Sequence, residues 1–254
     1  MKRCIDLNCD LGESYGPWRM GHDEEVMGLV TSANIACGFH AGDPSTMRRT
    51  VALAVRAGVA VGAHPGLPDR LGFGRRAMAV TAEDTYALVL YQVGALAAVA
   101  RAGGTELSHV KPHGALYTMA SSDDALAEAV AAATRDAGGG LVLVGQPFSA
   151  SERAAARLGV PFAAEVFADR TYTADGTLTP RHRPDAFVRD PEAAAARLVE
   201  ILETGRVLAV SGETVPLRAD TVCLHGDNPE AVAFARAVRA ALERAGIELR
   251  PLGR

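Results

Sequence analysis

The chain has 254 residues, 48% hydrophobic and 22% charged, so it can bury a sizeable core and carries no bias toward disorder. With 26 Lys+Arg against 30 Asp+Glu, the net charge of -4 gives no electrostatic reason to seek nucleic acid or an anionic membrane. Lysine occurs only as Lys2 and Lys111, the rest of the Lys+Arg set being arginine, which singles out Lys111.

The first apolar run, Cys4 to Cys9, reads as a buried strand. Its Asp6-Leu7-Asn8-Cys9-Asp10 core alternates, so the pleat puts Asp6, Asn8 and Asp10 on one face and Leu7 and Cys9 on the other. Leu11 and Pro17 stand where a calcium loop needs Gly and Glu, which excludes that motif. After Glu13 comes a second run, Ala33 to Phe39, ending in His40; Asp43 before Pro44 then caps a helix closed by Gly58. A third run, Val59 to His64, puts a second imidazole at the end of the next strand. With Asp10 and Glu13, His40 and His64 suit acid/base work or a divalent metal. The Gly-rich loop Pro68 to Arg76 carries Arg70, Arg75 and Arg76, which suit a phosphate or carboxylate, but it lacks the GxxxxGK[ST] pattern.

Thr81 with Asp84 opens a helix that Gly103 closes. Its window Ala87 to Ala100 is the most apolar of the chain, contains Gln92 and falls short of the roughly 20 residues a membrane span requires; no signal-peptide stretch follows Lys2, so a cytoplasmic location is expected. Strand Leu107 to Val110 is followed by Lys111 and His113, where a lysine can neutralise developing negative charge. A helix over Ser121 to Gly138 and strands Leu141 to Val144 and Phe162 to Phe167 come next, the last bearing Glu165 and followed by Asp169 and Arg170. Asp169 to Asp190 lacks periodicity and reads as a lid, with Arg170, Tyr172, Arg181, His182 and Arg183 as substrate or partner contacts. A helix from Asp190 and Pro191 to Gly205, strands Val207 to Val210 and Val222 to Leu224, then His225, Asp227 and a helix from Asn228 and Pro229 to Gly246 complete the chain.

Strand followed by helix seven or eight times means a parallel sheet, and without a linker the expectation is one domain over residues 1–254. Polar residues gather at the C-terminal ends of six strands. A barrel brings such ends to one mouth, whereas an open sheet concentrates contacts at a switch point, so the pattern favours a barrel. Cys4, Cys9, Cys37 and Cys223 form no CxxC pair and read as small buried residues.

Six motifs together resemble the LamB/YcsF lactam-utilisation family: DLNCDLGE at Asp6 to Glu13, NIACGFHAGD at Asn34 to Asp43, GAHPGLPDRLGFGRR at Gly62 to Arg76, VKPHGALY at Val110 to Tyr117, EVFADRTY at Glu165 to Tyr172 and CLHGDNP at Cys223 to Pro229. Asp185 departs from the family, which more often has Gly there. The resemblance implies an α/β distorted (β/α) barrel of about seven parallel strands, similar to the glycoside hydrolase/deacetylase fold. It also implies one component of an ATP-hydrolysing 5-oxoprolinase: 5-oxo-L-proline, ATP and water give L-glutamate, ADP and phosphate, with ATP and Mg2+ as co-substrate and two further subunits, B and C, as partners. On this reading Asp10 or Glu13, with His40 and His64, position and deprotonate water, and Lys111 with His113 serve the oxyanion and departing nitrogen. Asp6, Asn8, Asp43, Arg75, Asp169, Arg170, His225 and Asp227 are the candidate substrate or phosphate contacts. Two rival readings are a free-standing metal-dependent amidohydrolase or deacetylase with Asp10, His40 and His64 as ligands, and a non-catalytic lactam-binding subunit.

Overall fold

The structure, a computed structural model, describes residues 4–225 and 230–253. Strands β1 (Cys4–Leu11), β2 (Ser32–Ala36), β3 (Ala60–His64), β4 (Leu107–Val110), β5 (Val142–Gly145) and β6 (Phe162–Phe167) follow one another around a parallel sheet. Strands β7 (Arg206–Leu208) and β8 (Thr214–Pro216) intervene before β9 (Thr221–His225), which pairs with both β6 and β1 and closes a barrel of seven parallel strands. A short β10 (Glu248–Leu249) adds to the start of β1 at Cys4 and Ile5.

Helices α1 (Asp23–Met27), α2 (Pro44–Ala57), α3 (Ala82–Ala102), α4 (Gly114–Ser122), α5 (Asp124–Asp136), α6 (Ala150–Leu158), α7 (Pro191–Thr204) and α8 (Ala231–Arg244) connect the strands. Their ends follow the punctuation in the sequence. Asp43 accepts from the Ser45 and Thr46 amides at the head of α2, Thr81 from the Asp84 amide at the head of α3, and Gly58 and Gly205 leave α2 and α7 in the left-handed conformation. By length and composition α3 reaches membrane-span size, unlike the shorter window seen in the sequence. Its Val89, Val93 and Leu96 are buried, and its buried Gln92 bonds both the amide and the carbonyl of Gly66, which ties the helix to the loop after β3.

Pleating sorts the barrel residues. Leu7, Cys9, Leu11, Ile35, Val61, Val110, Leu143, Val166, Val222 and Leu224 join the hydrophobic core, each large aliphatic side chain contributing about 1.5–3 kcal/mol by burial. Residues of the opposite parity, Asp6, Asn8, Asp10, Ser32, Asn34, His64, His109, Lys111, Glu165 and Thr221, are buried as well and bond to one another. The lumen is therefore a polar column, in contrast to the aliphatic layers usual in such barrels.

Four sequence expectations change. The strand expected at Val207 to Val210 is β7, which pairs antiparallel with β8 in a separate ribbon; a four-residue apolar run carries no information about its partner. The strand from Ala33 stops at Ala36, because Gly38 turns the chain with φ 93°. The helix expected over Ser121 to Gly138 is two helices, since Asp123 is extended and caps α5 through the Ala125 and Leu126 amides. Cys4 is exposed, while Cys9, Cys37 and Cys223 are buried.

Candidate active site

Lys111 stands one residue beyond β4, its amide still bonded to the Ala63 carbonyl, and its side chain turns into the polar column. The ammonium lies 2.9 Å from Asp10 Oδ1, 2.8 Å from Glu165 Oε1, 3.2 Å from Asn8 Oδ1 and 3.0 Å from Cys223 Sγ. Burial opposes its charge, but the carboxylates prevail and hold its pKa well above the ordinary lysine value. Burial likewise raises the Cys223 pKa well above its usual value, so the sulfur facing the ammonium is a thiol and the carboxylates supply the attraction.

Beneath this group the amides interlock. Asn8 Nδ2 donates to Glu165 Oε1 and Thr221 Oγ1, Asn34 Nδ2 donates to Asn8 Oδ1 and Asp10 Oδ1, and His109 Nε2 lies 2.7 Å from Asn34 Oδ1. Such a network fixes Asp10 and Glu165 in place, because each lost bond would strand a buried polar atom.

Beside Lys111 three histidines converge from three successive strand ends. His40 and His113 stack with centroids 3.7 Å apart, and His64 stands edge-on to both. Glu13 Oε1 is 3.4 Å from His40 Nε2 and 3.6 Å from His113 Nδ1, while Asp10 Oδ2 is 3.3 Å from His64 Nε2. One ligand atom each from Glu13, His40, His64 and His113 fall within 4.8 Å of one another, so these four residues form the candidate metal set among the described residues. Burial, then the neighbouring imidazoles, push the pKa values of His40 and His113 well below the ordinary histidine value.

The group opens onto a pocket of about 270 Å³ whose walls include Asp10, His64, Lys111, His113, Tyr117 and Arg75. Arg170 and Arg181 also line it, so three guanidinium groups surround a small cavity. That combination suits a compact anionic ligand.

The structure brings Asp10, Glu13, His40, His64, Lys111 and His113 together, but regroups them. His113 belongs with the other histidines, not with Lys111: its Nε2 is anchored 2.8 Å from the Phe73 carbonyl. Asp6 lies deeper than the site, accepting from Thr31, Ser32 and Thr221 hydroxyls, and is not among the residues lining the pocket. Asn8 acts within the column as described. Asp43 has the bland capping role and also accepts from the Gly16 amide, which ties the first loop to α2. In the Gly-rich loop, Arg70 donates to the Gly38 carbonyl and stacks 3.7 Å over Tyr15, and Arg76 pairs with Asp69; these two shape the loop and only Arg75 faces the pocket. Arg170, although at the pocket wall, donates to the Thr179 and Ala186 carbonyls and so holds the irregular 169–190 segment against the barrel; buried Asp169 lies beside it and Arg197. Within that segment Tyr172 is buried with its hydroxyl on the Phe167 amide, Arg183 pairs with Asp185, and His182 is exposed. Asp227 and the side chain of His225 lie outside the described residues.

Asn34, His109, Tyr117, Glu165, Thr221 and Cys223 received no role from the sequence. Glu165 was only a polar residue at a strand end, and His109 falls inside a strand that otherwise looks apolar. Tyr117 sits one helical turn after His113, a spacing that puts both on one face. Its buried hydroxyl lies beside Glu165; burial and then that carboxylate raise its pKa well above the usual value, so it keeps its proton in the pocket wall.

His109 gives a pH prediction. Burial, then the charge of Lys111, pushes its pKa down to about 3, against about 6.5 in the unfolded chain. Between those values the unfolded state binds more protons, so this contribution is intact above about pH 6.5 and falls as the pH is lowered toward 3. Urea midpoints measured from pH 7 to pH 4 are expected to fall, and less steeply in His109→Gln. Equal slopes in both proteins would show that His109 is not the buried neutral group.

The LamB/YcsF family model matches residues 5–254. The chain is 59% identical to the A subunit of 5-oxoprolinase from Bordetella pertussis (strain Tohama I), over 98% of this chain and 99% of that protein. Identity to the A subunit of 5-oxoprolinase from Bacillus subtilis (strain 168) is 54%, over 96% of this chain and 95% of that protein. The crystal structure of the lactam utilization protein from Thermus thermophilus is 50% identical and superposes with a TM-score of 0.93, covering 97% of this chain and 99% of that one.

Proposed function

The chain belongs to the LamB/YcsF family, and from that premise we propose that it is the A subunit of an ATP-driven 5-oxoprolinase. In this reading 5-oxo-L-proline is opened to L-glutamate while ATP, with Mg2+, is converted to ADP and phosphate. Subunits B and C complete the enzyme, which works in the cytoplasm.

A five-membered lactam is a resonance-stabilised amide with a poor leaving group. Phosphorylating its carbonyl oxygen makes the carbon open to water, after which the site must hold an anion, stabilise negative charge and protonate the ring nitrogen. The observation that carries the reading is the buried Lys111, clamped by Asp10 and Glu165, on the wall of a small pocket ringed by Arg75, Arg170 and Arg181. Arg75 and Arg181 serve the substrate carboxylate or the phosphate. Lys111 stabilises negative charge on oxygen, and Asp10, on the pocket wall, holds the attacking water. Tyr117 provides a proton on the wall nearest Glu165.

Glutamate release from 5-oxoproline and ATP tests this, using the chain alone, its B and C partners without it, and all three together. Activity is expected only in the complete mixture, and His40→Ala is expected to abolish it while leaving the circular dichroism spectrum unchanged. ATP-independent turnover by the chain alone would replace the proposal with a free-standing amidohydrolase. Full activity of the partners without this chain would remove it from the reaction.

A further inference from the structure

Two backbone carbonyls dictate the state of two facing histidines. His64 Nδ1 lies 2.7 Å from the Lys111 carbonyl oxygen, and His113 Nε2 lies 2.8 Å from the Phe73 carbonyl oxygen. A carbonyl only accepts, so each of those nitrogens carries the hydrogen. A neutral imidazole has one N–H; the lone pairs therefore fall on His64 Nε2 and His113 Nδ1. These two atoms face each other at 3.0 Å.

Lone pairs that close repel unless something electron-poor lies against both. Carboxylate oxygens surround the same point: Glu13 Oε1 is 3.6 Å from His113 Nδ1, and Asp10 Oδ2 is 3.3 Å from His64 Nε2. The third ring, His40, has no hydrogen bond at either nitrogen, and its Nε2 stands 3.4 Å from Glu13 Oε1. Apart from that contact it is held by packing, stacked on His113 and fitted against Gly66, where a side chain would strike its ring. In all, Asp10, Glu13 and Glu165 bring three carboxyl groups to a buried chamber containing one ammonium, Lys111.

We propose that Glu13, His40, His64 and His113 form a binding site for a divalent transition-metal ion of the zinc class. Three imidazoles and one carboxylate are the donors such ions take, whereas Mg2+ and Ca2+ prefer all-oxygen sets. With metal–ligand bonds of about 2.0–2.1 Å, the edges of a tetrahedral site are roughly 3.3 Å. Three of the six separations among these atoms, 3.0, 3.4 and 3.6 Å, are near that value, and all four atoms lie within 4.8 Å of one another. The carbonyls behind His64 and His113 play the orienting part that fixes tautomers in metal sites. A proton would instead bury an imidazolium 3.7 Å face to face with a second imidazole, without the divalent charge that the carboxyl groups favour. This set differs from the Asp10, His40 and His64 triad suggested by the sequence, because Asp10 Oδ1 is already bound to Lys111. His64 and His113 line the pocket, so an ion here would be reachable from it. The inference does not depend on 5-oxoproline being the substrate.

The test uses the full-length chain stripped by chelation and titrated with Co2+. One equivalent is expected to bind with the intense visible absorption of a four-coordinate ion, and His64→Ala and His113→Ala are each expected to weaken binding at least tenfold. X-ray absorption at the zinc edge of the Zn2+-loaded wild-type chain reads the donors without any substitution, and three imidazoles are expected. No saturable binding, undiminished binding in both variants, or a zinc spectrum without imidazole scattering would each overturn the site. A downfield imidazole proton in the NMR spectrum of a chain that binds no Co2+ would assign the gap to a shared proton and reject the metal.

Discussion

Lys111→Met is expected to abolish turnover by the assembled enzyme and to destabilise the chain by about 3–5 kcal/mol, the usual cost of breaking a buried ion pair. The ammonium is the cation within 3 Å of both Asp10 and Glu165, and it also meets Asn8 and Cys223. Methionine fills a similar volume, so packing changes little and the loss isolates the charge. The two carboxyl groups would then face each other in a chamber with little access to water, and the Asn8 amide, which donates to Glu165, would lose its ammonium partner. Urea denaturation should show the lower midpoint. Adding Glu165→Gln removes one of the stranded charges, and the double variant is expected to recover part of the stability but none of the glutamate release. A single variant as stable as wild type would show that the cluster is not held by this charge, and a double variant no more stable than the single would show that repulsion at Glu165 is not the cause.

Gly62→Ala is expected to be nearly as damaging, although glycine to alanine in a strand is ordinarily mild. Gly62 is in register with Asn34 on β2 and His109 on β4, and the His109 ring lies directly across it. A Cβ on Gly62 would fall inside the van der Waals envelope of that ring. The ring has nowhere to go, since Nε2 is bonded to Asn34 Oδ1 at 2.7 Å and Nδ1 faces Ser108 Oγ at 2.8 Å. Overpacking of this kind costs about 1–3 kcal/mol. It would also displace Asn34, which donates to both Asn8 and Asp10, so activity should fall with stability. Gly62→Ala combined with His109→Ala removes the obstacle and should be more stable than Gly62→Ala alone. If the double variant is the less stable, the clash is not what Gly62 avoids.

The metal set and the column that supports Lys111 differ in how far they could be read beforehand. His40, His64 and Lys111 each stand directly after an apolar run, and strand ends of a parallel barrel meet at one mouth, so their convergence followed from position alone. Glu13 was already read with the two histidines, but the place of His113 was not. Glu13 and His113 come from loops, and only the folded loops decide that His113 stacks on His40 instead of accompanying Lys111. Arg70, Arg76 and Arg170 looked like anion binders because arginine in a loop has no periodic signature; the structure commits Arg70 and Arg170 to backbone carbonyls and Arg76 to Asp69.

The sequence by itself determined the parallel strand and helix order, most of the helix caps and the pleated sorting of β1, because these depend on neighbours within a few residues. The closure through β9, the exclusion of β7 from the barrel and the joining of Glu165 and Cys223 to Lys111 were decided by tertiary structure. Glu165 lies 54 residues from Lys111 along the chain and Cys223 lies 112 away. Only a closed ring of strands in a fixed register brings such distant side chains into one buried chamber, where each polar atom must find its partner across the lumen.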